Sequence, residues 1–174
     1  PVLSRFGAVL GFRYQGGEGA AFGSLAAGPK KGVHPMRINE VAFIGKGGVG
    51  LLYGSMIVRV LGDDAVEFVM DDARYERHAA DQLKINAEPC DLRSVRASEA
   101  TPADLVILTI KTTGLNQALD TMEAVVGPET RIASLCNGIT SEQKIAERFG
   151  WQRTVLGICQ GMDAVFLNNE LTYD

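Results

Sequence analysis

The sequence predicts an α/β fold in which a mostly parallel sheet carries helices on both of its faces. Short apolar runs recur along the chain, and patterns typical of amphipathic helices separate them. The runs at 41–44 and 105–110 contain almost only apolar residues, which is typical of strands that are buried on both faces. Because strands that alternate with helices need crossover connections, this arrangement favours a parallel sheet.

The alternation of predicted strands and helices begins after residue 40. The predicted elements there are a strand at Val41–Ile44, a helix over 49–61 ended by Gly62, a strand at Val66–Met70, and a helix from Ala73 to about Gln82 that Asp72 can cap. Residues 83–100 are ambiguous, since they allow short strands at 84–86 and 92–95 around Glu88 and Pro89.

The second half of the chain continues the alternation. The predicted elements are a strand at 105–110, a helix with Leu115, Leu119, Met122 and Val126 on one face, a strand at 131–135, a helix from a capping-box pattern at 140–143 to Phe149, and a strand at 154–159. Asn168 and Asn169 predict a turn before a strand that starts at Leu171.

Composition excludes several function classes. Of the 174 residues, 46% are hydrophobic and 22% are charged, and the formal net charge of −4 argues against a nucleic-acid-binding surface. The sequence contains no run of about 20 apolar residues that would span a bilayer. The three cysteines form no C-x-x-C pair, which disfavours a disulfide framework or a metal site and favours a reduced, cytoplasmic protein.

A glycine-rich pattern directly follows the first predicted strand and opens the first helix: Gly45-Lys46-Gly47-Gly48-Val49-Gly50. In that context G-x-G-x-x-G predicts a Rossmann-type dinucleotide site, with these six residues as its phosphate loop. Gly45 permits a tight turn, Gly47 lets the backbone approach a pyrophosphate, and Gly50 lets helix and strand pack closely. The helix N-terminus offers free N–H groups to the phosphates. No G-K-[ST] follows, so phosphoryl transfer from ATP or GTP is disfavoured.

The chain divides into two regions of different composition. Residues 1–35 are rich in glycine and show no lasting helical or strand period, so we expect a poorly ordered N-terminal extension. Residues 36–174 are expected to form one Rossmann NAD(P)-binding domain.

Two residues of opposite charge near the end of the second strand favour different cofactors. Asp71 lies 21 residues after Gly50, where an acidic residue typically binds the ribose 2′-hydroxyl of NAD. Arg74 follows three residues later and can pair with the 2′-phosphate of NADP. A helix cap at Asp71 or Asp72 and a solvated Arg74 explain the same residues without a ligand, so they leave the cofactor choice open.

Two polar residues follow neighbouring strands of the predicted sheet. Lys111 comes directly after the strand at 105–110, and Asn137 lies just beyond the strand at 131–135. In open α/β sheets, ligands bind beyond the carboxyl ends of the strands. Lys111 and Asn137 therefore either face the nicotinamide ribose of a cofactor or are ordinary loop residues.

These segments together resemble the ketopantoate reductase (2-dehydropantoate 2-reductase) family. The resemblance rests on three blocks in the same order and at a similar spacing, and it covers residues 36–174. The blocks are Met36–Gly54 with the glycine loop, Asp104–Lys111, and Leu135–Ile139, and Gly161–Val165 is similar as well.

The resemblance implies NADPH-dependent reduction of ketopantoate to pantoate, in the pathway to pantothenate and coenzyme A. It implies that Lys111 contacts the cofactor, that Asn137 contacts the nicotinamide side and the substrate, and that Ala164 lines the cofactor site. Arg74 is the nearest candidate for the basic residue that selects NADPH, whereas Asp71 and Asp72 depart from the family's basic pattern.

The resemblance also implies a second, helical domain that supplies a general-acid lysine and most substrate contacts. The sequence given ends at Asp174, so we expect that domain to be absent and assign no catalytic residue within this chain. We expect the chain to bind NADP(H) but to reduce the 2-oxo acid substrate poorly. A reductase of another 2-oxo acid and a non-catalytic dinucleotide-binding module remain alternatives, and the residues leave the oligomeric state, a homodimer included, open.

Overall fold

The computed structural model describes residues 10–14, 37–138, 140–159 and 163–173; of residues 10–14 and 158–159 it describes the backbone alone. The helices are α1 (Gly48–Leu61), α2 (Asp72–His78), α3 (Leu115–Met122) and α4 (Ser141–Phe149). The strands are β1 (Leu10–Tyr14), β2 (Val41–Ile44), β3 (Val66–Met70), β4 (Leu83–Ile85), β5 (Glu88–Cys90), β6 (Ser94–Arg96), β7 (Leu105–Leu108), β8 (Arg131–Ser134), β9 (Thr154–Cys159), β10 (Ala164–Leu167) and β11 (Glu170–Tyr173). None of the helices in these ranges is long and apolar enough to cross a membrane.

The main sheet of the described residues has seven strands in the order β1-β9-β8-β7-β2-β3-β6. All of its strands except β1 pair in parallel. Numbered along the chain from β2, the parallel strands lie in the order 3-2-1-4-5-6, which is the order of the Rossmann fold. The strand order reverses between β2 and β7, and in open α/β sheets ligands bind beyond the carboxyl ends of the strands at such a point.

Alternate side chains of β2 enter two hydrophobic cores on opposite faces of the sheet. Val41 and Phe43 pack with α1, and the ring of Phe43 stacks on that of Phe68 with centroids 5.0 Å apart. Ala42 and Ile44 pack with buried residues of α3 and α4. All four β2 side chains are buried, which confirms the prediction of a strand covered by helices on both faces.

A second, four-stranded sheet has the order β10-β11-β4-β5. Its buried residues Leu83, Ile85 and Leu171 join the core on the α1 face of the main sheet. The predicted turn at 168–169 is confirmed, since both asparagines adopt positive φ angles of 50° and 61°. Pro89 is accommodated because β5 is an edge strand, where a missing N–H costs no ladder hydrogen bond.

The structure decides between the two predicted caps of α2 and contradicts the predicted capping box of α4. The cap of α2 is Asp71 and not Asp72: the carboxylate of Asp71 accepts a hydrogen bond from the Arg74 backbone N–H at 2.9 Å. Since β3 ends at Met70, Asp71 is the extended residue before the helix and Asp72 is already helical. At α4 the side chain of Thr140 makes no capping hydrogen bond.

The helix α2 also ends earlier than predicted, at His78. The strand β1 is not predicted by the sequence at all. It pairs with β9 from Leu10↔Cys159 to Tyr14↔Val155, so the expected disorder of residues 1–35 does not hold for Leu10–Tyr14. The rest of that extension lies outside the described residues, and the domain boundary at residue 36 stays a prediction.

Candidate functional site

A cavity of about 590 Å³ lies at the carboxyl ends of β2, β3 and β7, where the strand order reverses. It brings together predicted site residues from three separate parts of the chain. Those that line it are Gly45, Lys46, Gly47, Asp71, Arg74 and Lys111. The fold therefore assembles the phosphate loop, the acid–base pair after β3 and the lysine after β7 around one space.

The turn from β2 into α1 requires glycine at two positions. Gly45 has a φ of +117°, and a Cβ there would lie 2.6 Å from the carbonyl oxygen of Thr109. A Cβ at Gly50 would lie 2.2 Å from the carbonyl oxygen of Gly45 and 3.2 Å from the ring of Phe68 on β3. The turn is therefore tight and α1 packs close to the sheet, as the glycine pattern predicts.

The helix α1 offers its N-terminus to this cavity. Gly47 is the N-cap, and a Cβ added to it would meet no atom within 4 Å. The first turn carries no acidic side chain, so nothing there opposes an anion. Unpaired N–H groups and the positive end of the helix dipole make such an end a phosphate-binding element. Gly48, Val49 and Gly50 form the first turn behind Gly47.

Thr109 supports the glycine loop from β7 and was not predicted as a site residue. Its hydroxyl donates to the carbonyl oxygen of Gly45 at 2.7 Å, and its backbone N–H donates to that of Ile44 at 2.9 Å. Thr109 is buried. The sequence shows a threonine near the end of an apolar run, but no local pattern indicates which distant carbonyl it will meet.

The side chain of Lys46 turns toward β6. Its Nζ donates to the carbonyl oxygen of Leu92 at 2.9 Å and to Oγ of Ser94 at 2.8 Å. It also lies 5.7 Å from the centroid of the Phe68 ring. Burial lowers the pKa of Lys46, and this effect exceeds the opposing influence of Cys90, Asp91 and Asp81. The ammonium group is therefore engaged within the protein.

Asp71 has both carboxylate oxygens occupied. Oδ1 accepts the capping hydrogen bond from Arg74, and Oδ2 accepts one from Nε2 of Gln117 at 3.1 Å. The Arg74 Nε lies 3.6 Å from Oδ2, and the arginine side chain is 47% exposed. Gln117 belongs to α3, on the other side of the cavity from α2. Sequence reasoning missed Gln117 because its contact spans 46 residues.

Of the remaining predicted site residues, one lines the cavity and two do not. Lys111 is exposed and lines the cavity after β7. Asn137 follows β8, the strand next to β7, but is exposed and does not line the cavity. Ala164 is exposed on β10 and does not line it either, whereas Phe166 and Asn169 of the same hairpin do.

The family model for ketopantoate reductase PanE/ApbA matches residues 41–169. The chain belongs to this family. The match begins at β2 and ends in the β10–β11 hairpin, so it contains every element that lines the cavity. The resemblance inferred from the three sequence blocks is confirmed.

Several solved structures are also similar to this chain. The 2-dehydropantoate 2-reductase of Geobacter metallireducens GS-15 is 26% identical, with a TM-score of 0.56 over 77% of this chain and 46% of that one. The dimeric ketopantoate reductase of Staphylococcus aureus is 17% identical, with a TM-score of 0.59 over 77% and 48%. D-mandelate dehydrogenase with NADH and anilino(oxo)acetate is 21% identical, with a TM-score of 0.61 over 78% and 45%.

This chain therefore spans less than half the length of each of these three structures. The two likenesses under 25% identity establish the Rossmann-type fold, which agrees with the strand order. Among curated proteins, no match to the chain was found.

Proposed function

We propose that the cavity binds NADP(H), and that the protein reduces a 2-oxo acid with it. The observation that carries the proposal is the position of the cavity, at the reversal of strand order with the glycine loop and the N-terminus of α1 at its edge. The loop would hold the pyrophosphate, as backbone N–H groups at a helix start do in dinucleotide sites.

The position of Arg74 supports NADP(H) over NAD(H). Each oxygen of Asp71 already accepts a hydrogen bond from the protein, so a ribose 2′-hydroxyl would have to share this carboxylate with the Arg74 backbone and Gln117. The half-exposed guanidinium of Arg74 lines the same cavity. Arginine is suited to phosphate because its planar fork donates in pairs. We assign Arg74 to the 2′-phosphate.

The proposed reaction is the one implied by the family, reduction of ketopantoate to pantoate. Bound NADPH would supply the hydride that reduces the ketone carbon, and an acid would supply the proton that completes the alcohol. Lys111 is proposed to contact the cofactor and Ala164 to line the cofactor site. Asn137 is proposed to contact the nicotinamide side and the substrate. No described residue is assigned as the acid.

A different 2-oxo acid is the second candidate substrate. D-mandelate dehydrogenase shares the fold and was solved with anilino(oxo)acetate, so we keep an aromatic 2-oxo acid as the alternative substrate. We further propose that the protein is cytoplasmic. We also propose that it forms a homodimer, like the dimeric enzyme of Staphylococcus aureus.

Calorimetric titration of the full chain with NADPH and with NADH tests the cofactor assignment. We expect saturable binding of one NADPH per chain, and at least about tenfold weaker binding of NADH, equal to ~1.4 kcal/mol. Equal affinities, or tighter NADH binding, would reject NADP(H) as the cofactor.

NADPH oxidation with ketopantoate and with phenylglyoxylate then separates the functional candidates. Faster oxidation with ketopantoate supports the family's reaction, and faster oxidation with phenylglyoxylate supports the second substrate. Tight NADPH binding with reduction of neither acid would leave the cofactor assignment standing and reject reduction of these acids by this chain alone.

A further inference from the structure

We infer that Lys46 is a positioning residue that holds the glycine loop in its phosphate-binding conformation by tying it to the start of β6 and the residues just before it. This inference rests on the proposed dinucleotide role of the loop. It departs from the reading of Lys46 as a direct cofactor ligand, because the ammonium group is directed at protein oxygens on the β6 side.

The tie consists of three contacts to two neighbouring segments. The Lys46 Nζ donates to Leu92 and to Ser94, at 2.9 and 2.8 Å, and lies over the ring of Phe68. None of the ion pairs within 4.0 Å in the described part of the chain includes Lys46. The half-buried ammonium group of Lys46 is thus held by neutral acceptors, and Lys46 is one of the residues that line the cavity.

The loop needs such a tie because the residues on both sides of Lys46 are glycines, which have no side chains. Lys46 lies between Gly45, which has a positive φ, and Gly47, whose Cβ position is open. Glycine loses more conformational freedom on ordering than other residues do, so the turn gains from an anchor. Ordering the loop before a ligand arrives removes that entropic cost from binding.

The charge of Lys46 makes this role dependent on pH. Three titratable groups favour the charged form of Lys46 electrostatically: the thiol of Cys90 on β5, the carboxylate of Asp91 after it, and that of Asp81 before β4. Because burial outweighs their influence, the pKa of Lys46 is lowered. The charged form is therefore lost at a lower pH than in an exposed lysine. A neutral amine is a weaker donor than an ammonium, so the tie weakens as pH rises.

The test compares Lys46→Met, which keeps the length of the side chain without its charge, with Lys84→Met at an exposed position of β4. We expect Lys46→Met to weaken NADPH binding at least about tenfold at pH 7 and Lys84→Met to leave it unchanged. Between pH 7 and 10, the affinity of the wild type should fall more steeply than that of Lys46→Met, since the variant lacks the titrating group. The same affinity and the same pH profile in wild type and Lys46→Met would overturn the inference.

Hydrogen exchange of the ligand-free protein provides a second readout. The amides of residues 45–48 should exchange faster in Lys46→Met than in the wild type, and at the wild-type rate in Lys84→Met. If the wild type binds no NADPH but this difference is seen, the proposed function fails and the tie stands. If the wild type binds NADPH and the exchange is unchanged, the tie fails alone.

Should Lys46→Met not fold, Ser94→Ala removes one acceptor and keeps the lysine. We then expect a smaller loss of NADPH affinity, about threefold, with faster exchange of residues 45–48. Unchanged affinity and exchange in Ser94→Ala would contradict the inference.

Discussion

Gln117 and Asp71 join the two sides of the cavity: Nε2 of Gln117 on α3 donates to Oδ2 of Asp71 at the start of α2, at 3.1 Å. The other oxygen of Asp71 caps α2. The acidic residue at the end of β3 therefore serves the fold, and the neighbouring Arg74 presents its charge to the cavity. This division of roles leads to the first two predictions.

Replacement of Asp71 should affect stability through the cap. We expect Asp71→Ala to lower the free energy of unfolding by about 1 kcal/mol, the usual cost of losing an N-cap. Asp71→Asn should cost much less, because asparagine is an equally good N-cap residue. Urea unfolding followed by circular dichroism measures both, and equal losses would show that the cap is not what Asp71 contributes.

Replacement of Arg74 should affect cofactor choice. We expect Arg74→Ala to weaken NADPH binding at least about tenfold and to leave NADH binding unchanged, since charge-assisted hydrogen bonds to phosphate are worth about 1.5–3 kcal/mol. Arg77→Ala, on the same helix but outside the cavity lining, is the control. Calorimetry measures all four affinities. An equal loss for both cofactors would remove Arg74 from the phosphate role.

Two glycines of the loop should respond in different ways to alanine. Gly50→Ala places a Cβ 2.2 Å from the Gly45 carbonyl oxygen, so we expect a loss of about 1–3 kcal/mol in unfolding free energy. Gly47→Ala meets no protein atom within 4 Å and should change stability by no more than about 0.5 kcal/mol.

The Gly47→Ala variant should also differ from the wild type in NADPH binding. A methyl group at Gly47 would occupy the space that a pyrophosphate needs, so Gly47→Ala should fold normally and lose NADPH affinity. Thermal unfolding and calorimetric titration of both variants test this. A Gly47→Ala protein that binds like the wild type would mean that the ligand does not approach this backbone.

Glu67 on β3 should make stability depend on pH. Burial raises the pKa of Glu67, against the opposing effect of Arg93. A carboxyl group with a raised pKa in the folded state destabilises that state progressively as pH rises through this pKa. We therefore expect Glu67→Gln to be more stable than the wild type at pH 7, and the difference to disappear as pH falls below the usual pKa of glutamate.

Urea unfolding between pH 3 and 8 measures this difference, with the exposed Glu129→Gln as the control. A stability difference that stays constant with pH would show that ionisation of Glu67 is not its cause.

The local parts of the fold could be predicted from the sequence. The buried strand at 41–44, the glycine turn and the helix that ends before Gly62 all follow from periodicity and glycine chemistry within about 20 residues. The meeting of the loop with Asp71, Arg74 and Lys111 was also predicted, because the carboxyl ends of parallel strands share one edge of a sheet.

Contacts between distant segments could not be predicted. The pairing of β1 with β9 joins residues about 145 positions apart, and the Thr109–Gly45 hydrogen bond joins residues 64 apart. The partners of Lys46 could not be predicted for the same reason. Its place in the motif suggests a ligand contact, but its partners lie at the start of β6 and two residues before it. At the start of α4, Thr140 makes no side-chain capping hydrogen bond, so the capping-box pattern does not form its expected bonds. The next residue, Ser141, is buried, and its Oγ accepts a hydrogen bond from that of Ser134, seven residues away.

The central claim, that the cavity at the reversal of strand order holds the dinucleotide, is tested most directly by hydrogen exchange of the full chain with and without saturating NADPH. We predict slower exchange in residues 45–51, which hold the glycine loop and the first turn of α1, and in residues 109–117, which include cavity-lining residues. We predict no change in α4 at 141–149, which does not line the cavity. Slower exchange confined to α4, or NADPH binding without protection of the glycine loop, would contradict the claim.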